Sequence, residues 1–236
     1  MSFWEFLTDL ANPDLRFLPK ALAVSIIAAV VCGVIGCHVV LRRMSFIGDA
    51  VSHSVFPGIA VAFVVQGSLV VGGTIAGVVT AVLVAIFSRD RRVHEDAAIG
   101  VFFAAAFALG IVVISRAPGY AGSLQSFLFG SITGISDHDV GFAALTAVGL
   151  LAVTAMLHRG FVAVALDREM AAAMGLRVFA LDLALYVCVT LAVVVSLRTI
   201  GNILVISLLV TPAATARLLT DRLGRMRFLA SVLGGV

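Results

Sequence analysis

Two ionisable residues, Asp49 and His53, stand in a part of the chain where most neighbours are apolar or small. They are four residues apart in the stretch R-R-M-S-F-I-G-D-A-V-S-H-S-V-F-P-G. On a helix this spacing stacks both side chains on one face, and a carboxylate oxygen beside an imidazole nitrogen is a two-ligand fragment suited to Mn, Fe or Zn. The alternative is structural: Asp49 pairs with Arg42 or Arg43, and His53 hydrogen-bonds a backbone carbonyl.

Pro57 and Gly58 follow this pair directly, so we expect the helix that carries it to be kinked or broken there. Broken helices beside ionisable residues recur at transport sites in membrane proteins. A bend that neighbouring helices simply accommodate is an equally good interpretation.

Other polar residues inside or beside apolar runs have plainer interpretations. A lone histidine such as His38 is more often a hydrogen-bonded packing residue than a metal ligand. Ser136 or Asp137 is expected to cap the helix that follows. Asp182 and Tyr186, again four residues apart, suggest a hydrogen-bonding face between helices, and we assign them no chemistry.

A short capped helix is predicted within the loop 160-178. Asp167 is suited to its N-cap, Glu169 to its positive N-terminal end, and Gly175 to a left-handed terminator after three alanines. Such a helix on the cytoplasmic face can lie in a groove of a soluble partner and transmit force to the rest of the protein. Alternatively it only shapes a turn.

The elements that position these residues are membrane helices. Of 236 residues, 61% are hydrophobic and 12% are charged, against roughly 45–50% and about 25% in a soluble domain. Mean hydropathy is +1.16. The runs are too long and too uniformly apolar for the strands of a membrane barrel. We therefore expect an all-α polytopic transmembrane bundle, one domain over 1-236, with seven spans and the start of an eighth. The runs cover 21-41, 44-66, 69-87, 97-115, 139-157, 179-198 and 200-217, and the last begins at Phe228.

Several function classes are disfavoured by the sequence. The arginines lie between apolar runs, so nucleic acid is not an expected partner. The only lysine is Lys20 and there is no G-x-x-x-x-G-K-[ST] motif, so the chain has no ATPase site of its own. Neither H-E-x-x-H nor G-x-S-x-G is present, which disfavours an intramembrane hydrolase. The three cysteines fall inside apolar runs and are expected to be small buried residues.

Orientation follows from the basic residues. With the N-terminus outside, twelve of the sixteen Lys and Arg residues lie on the inner side, as the positive-inside rule requires. The Gly- and Ser-rich stretch from Arg116 to Ser136 then begins and ends outside, and its short apolar piece predicts an interfacial or re-entrant helix.

Four stretches carry a resemblance: V-V-L-R-R-M-S-F-I-G-D-A-V-S-H-S-V-F-P-G (39-58), E-D-A-A-I-G-V (95-101), L-F-G-S-I-T-G-I (128-135) and I-G-N-I-L-V-I-S-L-L-V-T-P-A-A-T-A-R-L-L-T (200-220). The chain resembles the membrane permease subunit of the manganese/zinc/iron family of bacterial ABC importers. The resemblance implies a multi-pass protein of the bacterial cytoplasmic membrane. Its implied partners are a second permease subunit, two ATPase subunits that bind ATP, and an extracytoplasmic metal-binding protein.

The resemblance also implies residue roles. Asp49 and His53 match the family positions that coordinate the transported metal, and Asp167, Glu169 and Gly175 match the segment that contacts the ATPase. The H-S-V-F-P-G continuation is more like that of manganese-type members, so we expect Mn²⁺ rather than Zn²⁺ as cargo, with no permanently bound cofactor. Family members continue beyond Val236 with more membrane sequence, so C-terminal spans are expected to be missing here. The rival hypothesis is a proton-coupled secondary metal carrier.

Overall fold

The part of the chain that a computed structural model describes, residues 15, 17–44, 46–88, 95–115 and 135–235, consists of helices joined by short connections. The helices are α1 (Phe17–Leu41), α2 (Ile47–Ser54), α3 (Phe56–Val64), α4 (Leu69–Phe87), α5 (Glu95–Ile114), α6 (Asp137–Leu166), α7 (Arg168–Ala173), α8 (Val178–Ile200), α9 (Asn202–Leu219) and α10 (Leu223–Gly235). The expected all-α class is confirmed.

Six segments within the described ranges are long and apolar enough to cross a bilayer. They are α1, the α2–α3 pair taken together, α4, α5, α6 and α8, and they correspond to the first six predicted spans. The seventh predicted span is α9, whose apolar part, Leu204–Leu219, is shorter than the others. The predicted helix between Arg116 and Ser136 lies almost wholly outside the described residues.

Two helices extend further than their apolar runs. Helix α6 has 30 residues, about 45 Å at the helical rise, which exceeds a hydrocarbon core of about 30 Å. Its last turns stay helical because Phe161 and Val164 are buried against other helices. Helix α10 begins five residues before Phe228, and its buried residues Met226 and Ala230 pack with α1 and α9. Tertiary packing therefore sets these ends.

Two helices, α1 and α8, form the centre of the bundle. Helix α1 packs against α6, α8, α9 and α10, while α8 packs against α1, α2, α4, α6 and α9. The α2–α3 pair lies to one side, where α4 and α5 contact both of its halves. The candidate-site residues on α2 are thus held between α8 and α5.

Ion pairs identify which helix ends lie together. Lys20 at the start of α1 binds Asp137 at the start of α6, with 2.7 Å between Nζ and Oδ1. Arg42, just after α1, binds Asp182 in the first turns of α8. The starts of α1 and α6 therefore lie at one end of the bundle, and the end of α1 lies with the start of α8 at the other.

Candidate metal site

The turn between α1 and α2 fixes where the candidate pair begins. The Met44 N–H donates to the Val39 carbonyl and the Arg43 N–H donates to the Val40 carbonyl, while Arg43 has φ +60°. This is a Schellman motif, in which a residue in the left-handed conformation ends the helix. Helix α2 starts three residues after Met44, and Met44 itself is buried. A tight, hydrogen-bonded connection therefore joins α1 to the helix that carries Asp49.

Asp49 and His53 contact each other, with 3.3 Å between His53 Nε2 and Asp49 Oδ1. Their side chains are 44% and 22% exposed, respectively. Arg42 binds Asp182 instead, so the alternative that pairs Asp49 with Arg42 is wrong. The two side chains predicted to share a face do so, and both remain accessible.

Helix α5 supplies a wall to the site that the sequence pattern did not predict. The His53 ring lies 5.1 Å from the Phe103 ring and 4.8 Å from the Phe107 ring, measured between centroids. His53 Nδ1 is buried and has no hydrogen-bond partner among the described residues. The imidazole is therefore held by two aromatic rings, and its Nε2 faces the carboxylate. No local signal marks these phenylalanines, which are two of sixteen in the chain.

The helix interruption predicted at Pro57 and Gly58 falls at Val55 and is slight, because Val55 keeps helical dihedral angles and its N–H donates to the Val51 carbonyl. Helix α2 ends at Ser54 and α3 begins at Phe56, with Val55 between. Pro57 has no N–H, so it cannot donate the helical hydrogen bond to the carbonyl of His53. A Cβ added at Gly58 would lie 2.0 Å from the Gly72 carbonyl oxygen of α4. Glycine at 58 is therefore what lets α3 and α4 approach.

The geometry suits two neighbouring ligands of one ion. Oxygen and nitrogen atoms that each lie about 2.1 Å from a metal and subtend 90–110° are about 3.0–3.4 Å apart, and the observed separation is 3.3 Å. Among the described residues, no group of three or more His, Cys, Asp or Glu side chains is placed to hold a metal. The described part of one chain thus offers two candidate ligands, which we call a candidate half-site.

The loop after α6 forms the predicted short helix, α7. The Asp167 carboxylate accepts hydrogen bonds from the backbone N–H groups of Glu169 and Met170, both at 2.9 Å. Gly175 has φ +79°, and the Leu176 N–H donates to the Ala171 carbonyl, which completes a second Schellman motif. The predicted cap and terminator are confirmed. Met170 and Met174 are exposed, so α7 presents an apolar surface.

The other polar residues considered in the sequence analysis make packing and capping contacts. His38 is fully buried, and its Nε2 lies 2.8 Å from Arg227 Nη2. Ser136 caps α6 in a capping box with Asp139. Asp182 joins helices, as expected, but through arginines that are far from it in sequence.

Comparisons with known proteins agree with this architecture. The model of the ABC 3 transport family matches residues 14–236. The manganese transport system membrane protein MntC of Halalkalibacterium halodurans is 39% identical over 218 residues, covering 92% of this chain and 75% of the relative. The chelated iron transport system membrane protein YfeC of Yersinia pestis is 34% identical over 221 residues, covering 94% and 75%. The solved structure of PsaBC from Streptococcus pneumoniae in complex with Fab matches with a TM-score of 0.85 at 32% identity, covering 99% of this chain and 83% of that one.

Proposed function

Since this chain belongs to the ABC 3 transport family, we propose that it is the permease subunit of an ATP-driven importer of a divalent transition metal. Relatives named for manganese transport support Mn²⁺ as the cargo, while YfeC is named for chelated iron. Zn²⁺ is the second choice, because Asp and His ligands without a thiolate suit both ions.

The observation that carries the proposal is the accessible Asp49–His53 pair on a membrane-spanning helix. An ionised carboxylate does not face lipid without a large cost, so it must meet a cation, water or another protein surface. A cation that prefers about six ligands also needs more than this pair offers. A second permease copy that presents its own pair would supply up to four protein ligands and cover the exposed carboxylate.

Transport then proceeds by alternating access. The paired subunits first expose the two Asp49–His53 sites to an outer vestibule, where an extracytoplasmic metal-binding protein delivers the ion. Closure of two ATPase subunits around ATP swings the helices and opens the site inward. The helical hydrogen bond that Pro57 cannot donate weakens the junction at Val55, and we propose that α2 and α3 bend there during transport.

Helix α7 is the proposed contact with the ATPase. Its N-cap, Asp167, and its terminator, Gly175, hold a short rigid element whose exposed methionines suit an apolar groove. Glu169 lies in its first turn. From the positive-inside rule we expect this loop in the cytoplasm and the N-terminus outside, in a bacterial cytoplasmic membrane.

The proton-coupled secondary carrier is not favoured, because the family that includes this chain is one of ABC transport proteins. The difference between the two models is the energy source, since both use Asp49 and His53.

Replacing Asp49 tests the proposed site. We expect Asp49→Ala to abolish metal uptake by the assembled transporter, because one ligand of each half-site is lost. The matched control is Asp221→Asn. Its carboxylate is 97% exposed just after the end of α9 and pairs with Arg217 in the last turn of that helix. Normal uptake by well-assembled Asp49→Ala would contradict the proposal.

A further inference from the structure

One buried carboxylate, Asp182, joins three segments of the chain. Its Oδ1 accepts a hydrogen bond from Arg42 Nη1 at 2.6 Å, and its Oδ2 accepts one from Arg168 Nη2. Arg42 directly follows α1, Asp182 lies on α8, and Arg168 is the first residue of α7. The Asp182 side chain is 3% exposed.

Arg42 depends strongly on this contact. Its side chain is 5% exposed, and its Nε and Nη2 are buried without a hydrogen-bond partner in the described part of the chain. Its guanidinium lies 5.8 Å from the centre of the Phe161 ring of α6. A buried guanidinium with so few partners is expected to move together with the carboxylate that compensates its charge, because separating the two buried charges is costly.

Arg168 differs from Arg42 in its surroundings. Its side chain is 44% exposed, and it begins the helix proposed to contact the ATPase. A displacement of α7 therefore changes the distance between Arg168 and Asp182 directly. Asp182 would transmit that change to Arg42 and hence to the end of α1.

The route continues to the candidate metal site over a short distance along the chain. Arg42 precedes the first residue of α2 by five positions, through the Schellman turn of Arg43 and Met44. The Ile47 N–H donates to the Met44 carbonyl, and this hydrogen bond connects the turn to the first residue of α2. Asp49 follows two residues later.

We propose that Arg42, Asp182 and Arg168 form a linkage that couples movement of α7 to the helix carrying Asp49 and His53. This inference rests on the proposed function and makes Asp182 and Arg168 positioning residues, which touch neither metal nor nucleotide. A salt bridge that served stability alone would scale uptake and ATP hydrolysis together with the amount of folded protein. Breaking a linkage instead changes the amount of metal moved per ATP hydrolysed.

The test uses the complete transporter in lipid vesicles, with ⁵⁴Mn²⁺ uptake and ATP hydrolysis measured on the same sample. Arg168→Ala is the main variant, since it leaves the buried Arg42–Asp182 pair intact. We expect assembly and ATP hydrolysis to persist and the Mn²⁺ moved per ATP to fall at least about threefold. Arg168→Lys should restore most of the ratio. Arg159→Ala, which removes an exposed arginine of α6, should leave it unchanged.

A double variant separates a shared pathway from independent effects. If Arg168 acts through Asp182, adding Arg168→Ala to Asp182→Asn should lower the ratio no further than Asp182→Asn alone. An unchanged ratio in Arg168→Ala would overturn the linkage, and so would loss of subunit assembly, since Arg168 would then serve docking. Absence of ATP-dependent uptake in the unaltered transporter would instead overturn the proposed function.

Discussion

Among single residues, Asp49 gives the strongest reason to expect a bound cation, because its half-exposed carboxylate lies on a membrane-spanning helix. Asp49 is 44% exposed in the first turn of α2, and an ionised carboxylate on a spanning helix is costly unless it meets a cation, water or a protein partner. His53 offers only partial compensation because it is charged only when protonated. A divalent ion bound between the two would remove this cost, and on this ground we propose that the pair binds a metal rather than serving packing alone.

Direct evidence for an imidazole ligand would come from pulsed electron paramagnetic resonance of Mn²⁺ bound to the assembled transporter. We expect a nitrogen modulation from His53 that disappears in His53→Gln, with Mn²⁺ affinity lowered about tenfold or more. His138→Gln, which changes an exposed histidine at the start of α6, is the control. A nitrogen signal that survives in His53→Gln would show that another histidine binds the ion.

Contacts within a helix could be predicted from the sequence, whereas contacts between helices could not. The spacing of Asp49 and His53 is sufficient to place them together, because a helix brings residues four apart onto one face. The aromatic wall around His53 comes from α5, some fifty residues away. Arg42 and Asp182 are 140 positions apart, and no local pattern distinguishes this pairing from one between Arg42 and Asp49.

At the scale of helices, length and composition predicted the elements well, while their ends depended on packing and caps. The N-cap at Asp167 and the turn at Gly175 were predictable because each rests on one residue's chemistry. The extension of α6 to Leu166 was not, because buried contacts of its last turns keep it helical. The slight interruption of the second span falls at Val55 rather than at Pro57, since the missing N–H of proline removes a hydrogen bond from the turn that precedes it.

The close approach of α3 and α4 gives a stability prediction. Gly58→Ala would place a Cβ 2.0 Å from the Gly72 carbonyl oxygen, and forcing backbones apart in a packed region costs about 1–3 kcal/mol. We expect a clear loss of thermal stability of the purified protein in detergent. Gly100→Ala on α5, where a Cβ meets nothing within 4 Å, should be neutral or stabilising by up to about 1 kcal/mol. Equal unfolding temperatures for the two variants would contradict this packing.

Charge reversal in α7 tests its proposed contact with the ATPase. Glu169 lies in the first turn, where a negative charge is favoured by the helix dipole. We expect Glu169→Arg to lower transport-coupled ATP hydrolysis while Mn²⁺ binding survives. Glu169→Gln keeps the size of the side chain and shows how much depends on reversal rather than loss of charge. Unchanged coupling in Glu169→Arg would leave α7 as a helix that only shapes a turn.

At the scale of the whole molecule, the exposed site argues for a second copy of the chain. Phe46 is 69% exposed beside the start of α2, close in sequence to the carboxylate that needs cover. We expect Phe46→Cys to form cross-links between two copies in membranes. Leu145→Cys, exposed on α6, should not, because α6 packs on α1 and α8, away from α2. Cross-links through 145 alone would move the subunit interface away from the metal site.

We propose that ATP, hydrolysed by a partner, drives metal inward through this chain. The most direct test is uptake of radioactive Mn²⁺ into vesicles that contain the permease with and without its ATPase subunits and ATP. We predict uptake that requires both and exceeds uptake of Zn²⁺ under the same conditions. Uptake that proceeds without ATPase or ATP, driven by a pH gradient, would contradict an ATP-driven importer and indicate a secondary carrier.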